Sequence, residues 1–239
     1  PNSQPYSKSS SRINISISMG KDKLWRFSEI KRFPNVTEAP FSETFSQKGK
    51  WKEEIFKNDK PIVLELGCGK GEYAVGLGKM FPEKNFLGID IKGNRMYIGA
   101  KEALENNMDN VQFLRTRIDF IENFFSENEI DEIWLTFSDP QPKKPRKRLT
   151  SPLFIGRYKK FLKKNGLVHV KTDSDVLFEY TEEQIKEEGY KCHALTWDLY
   201  GSFQTKLTNK EKEIFKIKTH YEELFASKGS VIKYCCFEI

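Results

Sequence analysis

The clearest patterning begins at residue 61. Ile62-Val63-Leu64-Glu65-Leu66 is a short, almost wholly apolar run that ends in Gly67-Cys68-Gly69-Lys70-Gly71, as a buried strand entering a glycine turn would. Asn85 to Asp90 repeats the arrangement, an apolar run closed by an acid. Met96, Ala100, Ala103 and Leu104 then recur at i, i+4, i+7 and i+8, one face of a helix. Val111 to Leu114 and Glu132 to Phe137 predict a third and a fourth strand, and Leu167 to Val170 a fifth. Between the last two, Ser151-Pro152 supplies an N-cap and first-turn pair. The helix it opens gathers Phe154, Tyr158, Phe161 and Leu162 on one face and its lysines on the other. Asp175 to Glu188 predicts a further helix, stopped by Gly189. Two more apolar runs lie around Leu195 to Leu199 and Val231 to Phe237.

Strand and helix alternating in this way imply an α/β fold, a parallel sheet with helices on both faces. Residues 23–239 are expected to form a single domain, although 23–60 carry no assignable pattern, and no internal repeat is visible. Residues 1–18 hold seven serines, two basic residues and no acid, and Met19 follows. The stretch is weakly similar to a Ser-rich transit peptide, but its few cations fit better an extension upstream of a start at Met19, or a remnant of expression. Residues 1–22 are therefore expected to be disordered and outside the fold.

Composition adds limits. With 38% hydrophobic and 31% charged residues the chain suits a globular protein. No run approaches the ~18 apolar residues of a membrane helix, so no membrane partner is expected. The four cysteines (Cys68, Cys192, Cys235, Cys236) show no CxxC spacing, and adjacent Cys235 and Cys236 would point to opposite faces of a strand. His169, His193 and His220 are scattered. Neither a disulfide framework nor a metal site is indicated, and a reducing, cytoplasmic location is expected. The net charge of +6 matters less than its position. Ten Lys/Arg fall between Asp139 and Lys164 against one acid, while the other 30 basic residues face 33 acidic ones. One segment thus supplies the whole excess, which favours a polyanionic partner such as nucleic acid over a merely solvated helix.

In a parallel sheet, ligands sit beyond the carboxyl ends of the strands, where Gly67, Asp90, Asp139 and Asp173 are expected. The turn is GxGxG, with Glu72 at the third position of a dinucleotide fingerprint. Glu65, two residues ahead of the turn, would repel a pyrophosphate and welcome a cation, such as the ammonium or sulfonium of S-adenosylmethionine. Asp90 is spaced to accept hydrogen bonds from ribose hydroxyls. A tight βα turn without a ligand is the plain alternative.

Ser138-Asp139-Pro140-Gln141-Pro142-Lys143-Lys144, the basic run through Arg148, Lys171-Thr172-Asp173 and Thr219-His220-Tyr221-Glu222 follow LELGCGKGE in order. Together they resemble the bacterial tRNA (guanine-N7)-methyltransferase family over roughly residues 60–239. The resemblance implies a class I S-adenosylmethionine-dependent methyltransferase fold, a seven-stranded, mainly parallel sheet with the last strand antiparallel. It implies methyl transfer to N7 of the variable-loop guanosine of tRNA, position 46. By position, Glu65, Gly67, Gly69, Asp90, Arg117 and Asp139 match the cofactor-binding residues. Lys143, Asp173, Thr219, His220, Tyr221 and Glu222 match the substrate-binding positions, and Arg146, Lys147 and Arg148 the RNA-contact segment. Three departures stand out: Gln141 where the family has Trp, a basic run about two residues shorter that contains Pro145, and Arg117 where Asp or Asn is usual, with Asp119 two residues on.

Guanine N7 carries a lone pair and no proton, so alignment and electrostatics carry the implied reaction, without a base. Asp139 is the expected catalytic residue, either stabilising the cationic product or holding the guanine N1 and N2 donors. Rival readings are an adenine amino-group enzyme, from the loose likeness of Ser138–Pro142 to a (D/N)PP(Y/F) loop, a non-catalytic RNA-binding relative, and a nicotinamide dehydrogenase. Lys143-Lys144 in place of the aromatic, the intact acids and glycines, and Glu65 with Glu72 count against them in turn. Nothing in the sequence chooses between monomer and homodimer.

Overall fold

The protein is described by a computed structural model covering residues 22–40 and 42–239. The expected disorder of the N-terminal stretch falls, up to residue 21, outside the described residues; a helix, α1, already occupies 22–29. The strands are β1 (Val36–Glu38), β2 (Ile62–Leu66), β3 (Asn85–Asp90), β4 (Val111–Arg115), β5 (Ile130–Thr136), β6 (Leu162–Thr172), β7 (Lys191–Thr196) and β8 (Lys233–Glu238). The helices are α2 (Glu72–Met80), α3 (Gly93–Glu105), α4 (Pro152–Tyr158), α5 (Asp175–Glu187), α6 (Asn209–Ile214) and α7 (His220–Ala226).

One sheet, ordered β1-β4-β3-β2-β5-β6-β8-β7, carries all eight strands. Every pairing is parallel except those of β8, which runs antiparallel to both β6 and β7. The seven-stranded expectation therefore gains one strand. β1 pairs only with β4, Val36 opposite Phe113, and three residues offer too short an alternation to be read locally.

Side-chain alternation splits the core into two layers. On β2, Ile62, Leu64 and Leu66 enter the layer under α4 and α5, whereas Val63 faces α2 and α3. Cys235 and Cys236 divide in the same way, and all four cysteines are free thiols. The unpatterned stretch before β2 closes the first layer with aromatic rings. Trp51, fully buried in a single π-helical turn (Trp51–Phe56), packs on Phe45 and Phe125 and donates its indole N–H to Phe124 O at 2.8 Å. Helix α4 ends at Tyr158, earlier than its apolar spacing suggests. Phe161 and Leu162 leave it because Phe161 O accepts the Ile130 amide and Leu162 joins β6. Ser151 stands at the N-cap but turns its hydroxyl to Arg146 O rather than to α4.

Helix α3 meets the glycine turn after β2 through Gly99. A Cβ built there would lie 2.4 Å from Lys70 O and 3.2 Å from Gly71 Cα, so only glycine lets the helix sit this close. Gly156, inside α4, has open space where its Cβ would go. Gly99→Ala is thus expected to lower stability in urea denaturation by about 1–3 kcal/mol through backbone overpacking. Gly156→Ala should be neutral or stabilising by up to about 1 kcal/mol, the helix-propensity gain. Equal effects of the two changes would contradict this packing.

Candidate active site

The glycine turn, the loop after β5 and the start of α7 enclose one cavity of about 640 Å³ at the carboxyl ends of the central strands. Gly67 and Gly69 adopt left-handed φ of +76° and +56°, and a Cβ at either would meet no atom within 4 Å. Conformation, not crowding, requires glycine here. The open space is a cradle into which a ligand can approach the backbone. Gly67 N and Cys68 N both donate to Ile89 O, at 2.8 and 3.0 Å, so the turn is pinned to the end of β3. Asp90, the last residue of β3, completes the pin: one carboxylate oxygen accepts from Gly69 N at 2.9 Å and the other from Lys92 N at 2.8 Å.

Glu65 does not line this cavity. Its carboxylate, 3% exposed, accepts from Ala74 N in the first turn of α2 and from Thr136 Oγ1 at the end of β5, each at 2.9 Å. Burial pushes its pKa up to about 8, outweighing those two hydrogen bonds, and the neighbouring Glu72 and Asp90 add to the rise.

Past Thr136 the chain turns sharply. Phe137 and Gln141 hold φ of +51° and +45°, costly for residues with side chains, and between them Asp139 projects into the cavity. Asp139 accepts from Gln141 N at 3.0 Å, an Asx turn that fixes its rotamer. Arg148 braces the same loop from behind. It is buried, donates from Nε to Pro140 O at 2.9 Å and lies over the Tyr180 ring at 4.5 Å.

The opposite wall carries Asp173 after β6, whose pKa is raised by partial burial, and Thr219, His220 and Tyr221 at the start of α7. Thr219 caps α7 by accepting Glu222 N at 3.0 Å, and His220 N donates to Glu72 Oε1 at 3.0 Å, tying α7 to α2. The Arg95 guanidinium lies 5.4 Å from the centre of the Tyr221 ring.

Of the residues expected from the sequence, Gly67, Gly69, Asp90, Asp139, Lys147, Asp173, Thr219, His220 and Tyr221 meet around the cavity. Lys143 and Arg146 are exposed beside it. Four others lie elsewhere. Glu65 is consumed by Ala74 and Thr136. Arg117 pairs with Asp119 at 3.6 Å over the Phe120 ring and does not line the cavity. Arg148 is turned inward, so its guanidinium is not offered to solvent. Glu222 is 1% exposed and bound to Lys171 and Lys218. Conversely, Lys70, Lys92 and Arg95 line the cavity without having been singled out. Lys92 and Arg95 carry a signal in the sequence, two cations placed just after the strand-end acid Asp90, and Lys70 lies within the glycine turn itself.

A family model described as a putative methyltransferase matches residues 59–235. The chain is 53% identical to the tRNA (guanine-N(7)-)-methyltransferase of Bacteroides fragilis, over 92% of this chain and 86% of that one. It is 47% identical to the same enzyme of Christiangramia forsetii, over 92% and 98%. The chain belongs to the tRNA (guanine-N(7)-)-methyltransferase family. At greater distance, the fold is shared with the 16S rRNA methyltransferase KamB, with a TM-score of 0.58 at 16% identity over 78% of this chain and 91% of that one. A SAM-dependent methyltransferase from Aquifex aeolicus aligns with a TM-score of 0.51 at 13% identity, over 84% and 99%. Membership in this family makes S-adenosylmethionine the cofactor, and the cradle at Gly67 and Gly69, beside the Asp90 carboxylate, suits a nucleoside of that size.

Glu65 gives the site a pH signature. Unfolded, it titrates near 4.5; folded, near 8, so the folded state keeps a proton that the unfolded chain releases. Its contribution to stability is full below pH 4.5, is lost as pH rises to about 8, and is constant above that. The stability of the wild type minus that of Glu65→Gln, measured by urea denaturation, should therefore fall steadily from pH 5 to 8. A flat difference across that window would contradict the assignment.

Proposed function

We propose that this chain transfers a methyl group from S-adenosylmethionine to N7 of guanosine in tRNA, at the variable-loop position 46. The identity of 47–53% to enzymes of that name over 92% of the chain carries the reading, and the cavity supports it chemically. The cofactor supplies an electrophilic methyl on a sulfonium. Asp90 accepts hydrogen bonds from ribose hydroxyls, and Gly67 and Gly69 admit the ligand to the backbone. Asp139 orients the guanine through its N1 and N2 donors, or meets the positive charge that grows on the base as N7 is alkylated. N7 has no proton to lose, so no residue acts as a base. Asp173, Thr219, His220 and Tyr221 bound the base on the far side, Tyr221 offering a ring face.

Lys143, Lys144 and Arg146 hold phosphates, as does Lys147, whose half-exposed side chain also pairs with Asp119 at 3.1 Å; these contacts position the RNA without reading its sequence. The buried Arg148 is assigned to the loop rather than to RNA. Among the described residues no helix is long and apolar enough to cross a membrane, and no group of three or more His, Cys, Asp or Glu could hold a metal ion. The reading assigns the protein to the cytoplasm with its tRNA substrate.

Nucleoside mass spectrometry of unmodified tRNA incubated with the protein and labelled cofactor should find 7-methylguanosine. Asp139→Asn should slow single turnover on the order of 10²-fold with both substrates saturating, as loss of a preorganised charge does. N6-methyladenosine as the main product, or no product, would overturn the function. A wild-type rate for Asp139→Asn would leave Asp139 with binding alone.

A further inference from the structure

Behind the far wall lies a charged pair with no direct part in that reaction. Lys171, on β6, is fully buried; its Nζ donates to Glu222 Oε2 at 2.7 Å and to the Tyr73 hydroxyl of α2 at 2.8 Å. Glu222, on α7, is 1% exposed, and its other oxygen accepts from the Tyr200 hydroxyl and from Lys218 Nζ at 2.9 Å. Three donors occupy the carboxylate, and Glu222 does not line the cavity.

The pair touches both walls of the site. On one side, Phe137 N donates to Lys171 O at 2.8 Å, and the Lys171 ammonium lies 5.9 Å from the centre of the Phe137 ring. Phe137 is the left-handed residue that turns the chain into Ser138 and Asp139. On the other side, Glu222 is held in the first turn of α7 by Thr219, so its carboxylate fixes where Thr219, His220 and Tyr221 stand. Tyr73, Tyr200 and Phe215 complete a ring cage around the ammonium at 5.2, 5.5 and 5.8 Å.

Stability alone is a poor reason for such an arrangement. Removing two charges from water costs several kcal/mol, and well-packed apolar side chains often serve as well or better. What the ionic pair adds is direction: charge-assisted hydrogen bonds specify distance and angle where methyl contacts do not. We propose that Lys171 and Glu222 are positioning residues that couple the Asp139 loop to the Thr219–Tyr221 wall and so set the width of the slot holding the target guanine. The proposal rests on the methyltransferase reading above and assigns to Glu222 a role other than contact with the base.

Single-turnover methylation, cofactor affinity by calorimetry, tRNA KM and hydrogen exchange over α7 test it together. Glu222→Gln keeps the shape and removes the charge. It should slow transfer roughly 10- to 100-fold at saturating substrates, as a misaligned reactant does. It should also raise the tRNA KM, speed exchange in α7 and leave cofactor affinity unchanged. The apolar pair Lys171→Met with Glu222→Leu should recover thermal stability yet remain slow per folded molecule. A wild-type rate in either variant overturns the proposal. Tyr200→Phe removes one donor from a half-exposed position and decides the matter should Glu222→Gln not fold: slower transfer at an unchanged Tm supports the coupling, and a wild-type rate overturns it. If the wild type makes no 7-methylguanosine, the functional reading falls by itself. Exchange in α7 then still decides the coupling, and unchanged protection in Glu222→Gln overturns it.

Discussion

One carboxylate joins the two halves of this site. Glu65 lies in a strand whose every residue is buried, surroundings so poor for a charge that its pKa is pushed up to about 8 even though α2 and β5 each bring it a donor. The Ala74 amide fixes the first turn of α2, and with it the glycine turn that lines the cavity. The Thr136 hydroxyl fixes the last residue of β5, and with it the loop that carries Asp139. The glycine turn and the Asp139 loop, on the proposed function the cofactor side and the base side, are thereby referred to one point. A cation need not touch Glu65 for its loss to be felt on both sides.

The basic segment shows a similar division of labour. Its charge looked like a uniform patch, but the structure separates it into parts. Lys147 and Arg157 converge on Asp119, Arg157 and Lys160 on Glu122, and Lys163 on Asp131, so much of the positive charge fastens α4 and its flanks to neighbouring elements. Arg148 is spent on the Pro140 carbonyl. Lys143, Lys144 and Arg146, at the tip of the segment beside the cavity, stay exposed. Exposed pairs of this kind are worth little to stability.

The sequence was most legible where burial was continuous or a backbone rule was strict. β2 and β3 have the bounds the sequence predicts because both are mostly apolar, buried runs, ended by a glycine turn and an acid respectively. Helix α5 ended beside Gly189, whose φ is +68°. The strand-end acids Asp90, Asp139 and Asp173 were legible for the same reason, since parallel strands bring their carboxyl ends together. Other features depended on partners distant in sequence. β1 exists only by pairing with β4, and Trp51 is packed by rings from residues 45 and 125 and hydrogen-bonded to the carbonyl of residue 124. The burial of Glu65, Arg148 and Glu222 is not legible in the sequence, because a charged letter looks the same whether it faces solvent or a buried partner. Only the fold shows that Thr136, Pro140 and Lys171 reach them first.

The claim that Glu65 serves both sides is tested most directly by the single-turnover rate of Glu65→Gln with cofactor and tRNA both saturating. An amide keeps the shape, but one of its two polar atoms is a donor where the carboxyl oxygen accepts, so one of the two hydrogen bonds must reverse or break. If the two halves share this anchor, methyl transfer slows even when binding is complete, because the Asp139 loop has lost its reference to the glycine turn. A wild-type rate at saturation, with only the cofactor affinity reduced, would contradict it and leave Glu65 as a residue of the cofactor side alone.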